Sequence, residues 1–335
     1  MPAPALKIAN RPYYFRKSIS TPSFGTERVL ARDAFEFALL WLKRNCKDAV
    51  PYWEQARAYY LASGYLPVES SPLTSYYCFL NAAKALLIVK GEKFTDRHGV
   101  SGDFESSKRA LVNEQINFQG SGVIAALSKY LKEDATTTVY NLKDVLSNLP
   151  FIHRAFRHTF TSHPELFIPV RNLVYRKHPT DDYVWLTGDI QGRFADGRTI
   201  RTLPNGLEQD NGYKDGCVVR TRRRVRWYGR RANDEEKKQA LSRLLAYHRK
   251  WRQHFSYISA SPDLWYVKRS MSGASVINRY NLTLIIAGMH RLSELSRYDP
   301  YGLKQYFEGK ENWLLTEFIE LSPIQFVDEL VCEMT

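Results

Sequence analysis

The sequence predicts a mainly α protein of the α+β class. It reads as a helical bundle, a small antiparallel β-sheet inserted into it, and a helical C-terminal region that packs back on the first half. Three observations carry this. Ser71 to Gly91 has sharp helix ends and is apolar nearly all round. From about Ile168 to Arg231 the chain turns to short strand-like runs between turn dipeptides. At Asn233-Asp234-Glu235-Glu236 a cap with first-turn acids brings helical signals back.

The boundaries follow in order. Residues 1–26 are expected to form an extended N-terminal arm. It carries Lys7, Arg11, Arg16 and Lys17 with no acid before Glu27, but Pro2, Pro4 and Pro12 argue against an amphipathic targeting helix. A helical domain is expected over 27–165. Its first helix, 27–47, shows Phe35, Leu39, Leu40 and Leu42 at helical spacing, with Lys43 and Arg44 at the end. Pro51 opens a second helix and Gly64 closes it. Ser71 suits an N-cap, Pro72 the first helical position and Gly91 a left-handed C-cap. Segments 121–132 and 142–162 are further helical candidates.

A β-rich insertion is expected over 166–231. Asn172 to Tyr175, Tyr183 to Ile190, Thr199 to Leu203 and Cys217 to Tyr228 favour strands. Asp196-Gly197, Asn205-Gly206 and Asn211-Gly212 separate them, because Asn and Gly tolerate positive φ. The helical region over 232–335 should hold a helix to about Ile258 and another from Ser275 to Tyr298. Asp299-Pro300 and Ser322-Pro323 each pair a cap with Pro, so two short helices should finish the chain.

The chain has 335 residues and a net charge of +13. That charge points to an acidic partner, with RNA or another single-stranded nucleic acid first. No apolar run nears the ~20 residues of a membrane helix, so no membrane partner is expected. Cys46, Cys78, Cys217 and Cys332 are scattered without metal-ligand spacing. A reducing cytoplasm is the simplest compartment for them. No phosphate loop, dinucleotide fingerprint or zinc cluster is present, so no cofactor and no metal are expected.

Val219 to Arg231 is the sharpest charged feature. As one strand it would place Arg220, Arg222, Arg224 and Arg226 on one face, about 6.8 Å apart. Such a row matches phosphates along an extended strand, and Trp227 and Tyr228 would add base stacking. A charged edge strand, or pairing with Asp181, Asp182 and Asp189, is the plainer alternative.

Two phrases resemble known families. Tyr76-Tyr77, Ala82-Ala83-Lys84-Ala85-Leu86-Leu87, Lys90-Gly91, His98-Gly99-Val100 and Phe104 follow the order seen in the HEPN superfamily of small helical domains. Leu292-Ser293-Glu294-Leu295-Ser296-Arg297-Tyr298, then Asp299, is similar to the bacterial YaaC-like family. The HEPN resemblance implies a HEPN-like bundle and a plausible homodimer. It also implies a metal-independent endoribonuclease of bacterial stress or anti-phage defence. Active HEPN enzymes use Arg, four to six residues, then His. Here Arg157 with His163 and Arg249 with His254 are the leading pairs; Arg171 with His178 and Arg243 with His248 also fit. His would shuttle the 2′-hydroxyl proton while Arg steadies the phosphate. On one helix Arg249 and His254 would point about 140° apart. Capping or surface roles are the alternative for each pair, and a backbone-bonding loop role for His98. The YaaC-like family has no settled activity, and the alternative reading is a non-catalytic binding or assembly subunit, to which the aromatic richness and the weak Arg/His signal point. Its basic surface would meet nucleic acid or a protein partner.

Overall fold

The computed structural model describes residues 3–8, 10–25, 33–106, 108–134, 137–213, 216–259, 264–271 and 275–335. Two compact units each draw on two stretches of chain. One joins Met1–Val29 to Glu165–Ala274; the other joins Leu30–Pro164 to Ser275–Thr335. Among the described residues, helices take 48% and strands 18%, and one sheet has seven strands. The protein is therefore a substantial α+β fold. The expected helical bundle with a small inserted sheet is corrected.

Local pattern hid part of that sheet. Phe255–Tyr257 and Leu264–Lys268 are short strands rich in aromatics. Such brief apolar runs look alike in a helix and in a buried strand. The helix expected to reach Ile258 therefore stops at Arg252. Thr199 to Leu203, expected as a strand, belongs to the short helix Gly197–Ile200 and the turn after it.

In the β unit the large sheet is antiparallel throughout. Its order is Phe255–Tyr257, Leu264–Lys268, Phe167–Lys177, Tyr183–Ile190, Cys217–Thr221, Leu207–Gln209. Val225–Arg226 pairs with the start of Tyr183–Ile190. The N-terminal stretch runs along Phe167–Lys177. Leu6 N donates to Tyr175 O at 2.7 Å and Phe15 N to Leu173 O at 3.0 Å. Its Leu6, Tyr13, Phe15 and Phe24 lie in the core of this unit. The expected boundary at 26, and the helix start at 27, fall in 26–32, outside the described residues. Helix Asp234–Arg252 adds Ala240, Leu244, Tyr247 and Trp251 to the same core. Its start is a capping box. Asn233 accepts from Glu236 N, and the Glu236 carboxylate accepts from Asn233 N, both at 2.8 Å.

In the α unit the Ser71–Val89 helix is central and almost wholly buried. It packs against Val50–Ser63, Asn281–Tyr298 and Asn312–Met334. Gly91 has φ of 68°, the left-handed stop that its position suggests. A three-stranded antiparallel sheet, Val100–Phe104, Glu114–Phe118 and Val139–Asn141, belongs to this unit and was not expected. Segments 121–132 and 142–162 resolve into helices Val123–Leu131, Leu142–Ser147 and His153–Thr159. Pro300–Glu308 is a short helix, but Asn312–Met334 runs on through Pro323. A mid-helix proline loses one backbone hydrogen bond. Phe318, Ile319, Phe326 and Leu330 are buried around it, and their packing outweighs the local break.

Candidate functional site

The phrases singled out in the sequence meet in the α unit. Tyr76 comes from the first turns of the central helix and is fully buried. His98 comes from the loop before Val100–Phe104. That loop is fixed by close backbone packing. Gly99 has φ of 84°, and a Cβ there would lie 3.0 Å from Ser121 O. Val123 N donates to Arg97 O at 2.9 Å and Ile124 N to His98 O at 3.1 Å, so the Val123–Leu131 helix start clamps the loop. His290, Arg291, Glu294 and Arg297 come from successive turns of Asn281–Tyr298.

The Tyr76 hydroxyl and His98 Nδ1 are 2.8 Å apart. The His290 ring packs edge-on to Tyr76 at 4.8 Å and lies 5.6 Å from His98. Glu294 Oε2 is 3.8 Å from His290 Nδ1, beyond hydrogen-bond length. Glu294 Oε1 accepts from Gly102 N at 3.1 Å. Gly102 has no room for a side chain, because Glu294 and Arg291 fill the space a Cβ would take. Behind this lies an ion cluster. The fully buried Glu114 accepts from Arg291 Nη2 at 2.6 Å, Tyr306 Oη at 2.6 Å and Arg109 Nη1 at 3.4 Å.

Burial first, then the Arg297 charge, holds His98 below the ordinary imidazole range. Burial, then His98 and Arg297, takes His290 down to about 3. Burial, then Tyr77, pushes Tyr76 up, so its hydroxyl stays protonated. Both imidazoles are therefore neutral at neutral pH. With the ring proton on Nδ1, His98 donates to the Tyr76 oxygen and Nε2 keeps its lone pair. With the proton on Nε2, Tyr76 O–H donates to Nδ1. The pair can thus take or give a proton at Nε2 while Tyr76 holds the ring.

The arginine segment differs from the row expected of it. The strand stops at Thr221 and resumes at Val225, so Arg220, Arg222, Arg224 and Arg226 share no continuous face. Arg222 N turns away to Gly206 O at 2.7 Å, while Thr221 Oγ1 takes Leu186 N at 3.0 Å. Glu208 binds both Arg220 at 2.9 Å and Arg222 at 3.1 Å. Burial works against it, but these two guanidiniums hold the Glu208 carboxyl below its usual range. Arg222, Arg223, Arg224 and Arg226 are exposed. Trp227 is 4% exposed and belongs to the core, with Tyr228 stacked on it at 4.8 Å. Its ring is enclosed, which removes the stacking face read from the sequence.

Three of the sequence-spaced Arg/His pairs have their members against other groups. Arg157 Nη1 donates to Thr161 O at 3.3 Å, and His163 sits edge-on to Phe156. Arg249 Nη2 donates to Ser20 O at 2.9 Å. His254 lies past the end of that helix, beside Trp251, and burial lowers it to about 4. Arg243 Nε donates to Arg226 O at 3.2 Å. His248 is wholly buried in the β-unit core.

Sequence reading passed over His290 and Glu114, and it gave Glu294 and Arg297, which stand in the YaaC-like phrase, no role in a site. The His290–Glu294 spacing of four, which shares one helix face, was the available signal. Among the described residues no group of three or more His, Cys, Asp or Glu is placed to hold a metal ion. Among them no helix is long and apolar enough to cross a membrane.

The family model described as YaaC-like Protein matches residues 13–334. No curated protein and no solved structure matches the chain. The chain belongs to the YaaC-like family.

Proposed function

We propose, from the geometry of the α unit and the HEPN resemblance, that this YaaC-like chain acts on RNA. Its α unit would carry a metal-independent acid–base centre. The observation that carries the reading is the Tyr76–His98 contact of 2.8 Å, beside a second buried imidazole and the Arg297 charge. A base whose other nitrogen is held by a third group follows the logic of activated proton transfer. His98 Nε2 would take the proton of a 2′-hydroxyl as its oxygen attacks phosphorus. The same imidazolium would return the proton to the leaving 5′-oxygen. Arg297 would offset the charge on the phosphate. The HEPN resemblance of the Tyr76 to Phe104 phrase supports RNA as the substrate. The test uses purified protein and labelled single-stranded RNA with EDTA present. Cleavage that survives EDTA and is lost in His98→Ala supports the reading; cleavage unchanged in His98→Ala overturns it.

A second reading, a non-catalytic assembly subunit, is favoured by one other feature of the α unit. A groove of about 420 Å³ lies among Leu61, Tyr65, Leu66 and Ile319, and Tyr65 is 90% exposed. Binding of RNA without cleavage, or a stable complex with a protein partner, would move the weight to that reading.

A further inference from the structure

The β unit holds a cleft of about 440 Å³ that the acid–base centre does not use. Its walls come from Trp185 on Tyr183–Ile190, His178 in the turn before that strand, Arg220 on Cys217–Thr221, and Glu208 and Asp210 at the end of Leu207–Gln209. Arg224, from the break in the arginine segment, closes it. The Arg224 guanidinium lies 5.0 Å over the Trp185 ring.

Three observations mark this cleft as built for a ligand. Trp185 is 4% exposed, yet its indole N–H has no hydrogen-bond partner. Buried donors are rarely left so. His178 Nδ1 is engaged by the Asp181 amide at 3.1 Å, and its Nε2 has no partner among the described residues. Arg220 is committed to Glu208 and Asp210, at 2.9 Å and 3.7 Å, whereas Arg224 has no carboxylate partner among the described residues. Arg224 is exposed, so its guanidinium lies over Trp185 and still meets solvent.

A planar cation laid on an indole is a platform for another flat ring. We propose that this cleft binds a nucleotide, its base stacked on Arg224 over Trp185. His178 Nε2–H would then serve as a donor to a base or phosphate oxygen. Glu208 and Asp210 have acceptor capacity for an amino group of the base, since a carboxylate offers about four lone-pair sites. The source is a free mononucleotide or one nucleotide of a single strand. The proposal rests on the nucleic-acid reading above, though not on cleavage.

The test is calorimetric titration, at low salt, with the four ribonucleoside 5′-monophosphates and with a short single-stranded RNA. Stacking of one base predicts roughly tenfold weaker binding in Arg224→Ala. Arg224 is exposed, so its loss should leave the melting temperature unchanged; His178→Ala gives an independent second variant. Arg224-sensitive binding of a mononucleotide supports a free-nucleotide site. Arg224-sensitive binding of RNA alone supports a strand-reading site. No binding of either probe, or binding indifferent to Arg224→Ala and His178→Ala, overturns the proposal. Cleavage lost in His98→Ala tests the earlier reading, so each can fail without the other.

Discussion

His248 in the β unit and His290 in the α unit are alike in burial and opposite in provision. Each is nearly inaccessible, and burial takes each imidazole down to about 3. His248 has both ring nitrogens satisfied. Tyr175 Oη lies 2.9 Å from Nδ1, and Ser18 O accepts from Nε2 at 2.8 Å. It also packs against Phe15 and Phe24. His290 Nδ1 has no hydrogen-bond partner among the described residues, and its neighbours are Tyr76 and His98. Depressed basicity alone therefore does not locate a site. A polar atom kept buried and unused does so better, because the fold gains nothing from leaving it unsatisfied.

The contrast has consequences of graded size. The largest concerns His98, which His290 backs. On the proposed acid–base reading, His98→Ala should lower RNA cleavage by about 10²–10⁴-fold with little change in unfolding free energy. Tyr76→Phe should cost less, since the ring stays and only the hydroxyl goes. Single-turnover cleavage beside urea unfolding checks both. Next comes stability. His248→Ala leaves a cavity and an orphaned Tyr175 hydroxyl, and should cost about 3–5 kcal/mol. His290→Leu fills similar space and removes an unused polar atom, and should stay within about 1 kcal/mol of the parent. Equal losses in urea unfolding would show that His290 is as structural as His248.

Acid should act through both histidines. Each binds a proton more weakly in the folded state than in the unfolded chain. The unfolded state therefore holds more protons between about 3 and the ordinary value. Stability is full above the ordinary imidazole range and falls with pH through that window. Each histidine removes up to about 1.4 kcal/mol per pH unit. His290→Leu should flatten the measured slope by one proton while leaving His248's share. The smallest effect is local: Asn233→Ala, which opens the capping box, should cost about 1 kcal/mol in the same assay.

The sequence was readable where one short stretch decides the outcome. The central helix, its Gly91 stop, the Pro51 helix and the Asn233 cap need only nearby residues. The three-stranded sheet was not readable, because its strands are only three to five residues long, too short for an alternating pattern to declare itself. The candidate site was half visible. Tyr76 and His98 stood in a recognisable phrase. His290 and Glu114 gain meaning only when a helix near residue 290 meets a strand near residue 115, a pairing that local periodicity does not encode. The arginine row misled because alternation assumes an unbroken strand, and Thr221 breaks it with a side-chain bond to Leu186.

The threading of the β unit bears on how the chain is made. Phe15 packs edge-on to Trp265 at 5.0 Å, so one wall of that core is synthesised about 250 residues before the other. At roughly 5–20 residues per second, the ribosome leaves Leu6, Tyr13 and Phe15 without their partners for some tens of seconds. During that interval these aromatic side chains lack the core that buries them in the finished fold, and the segment is exposed to off-pathway association.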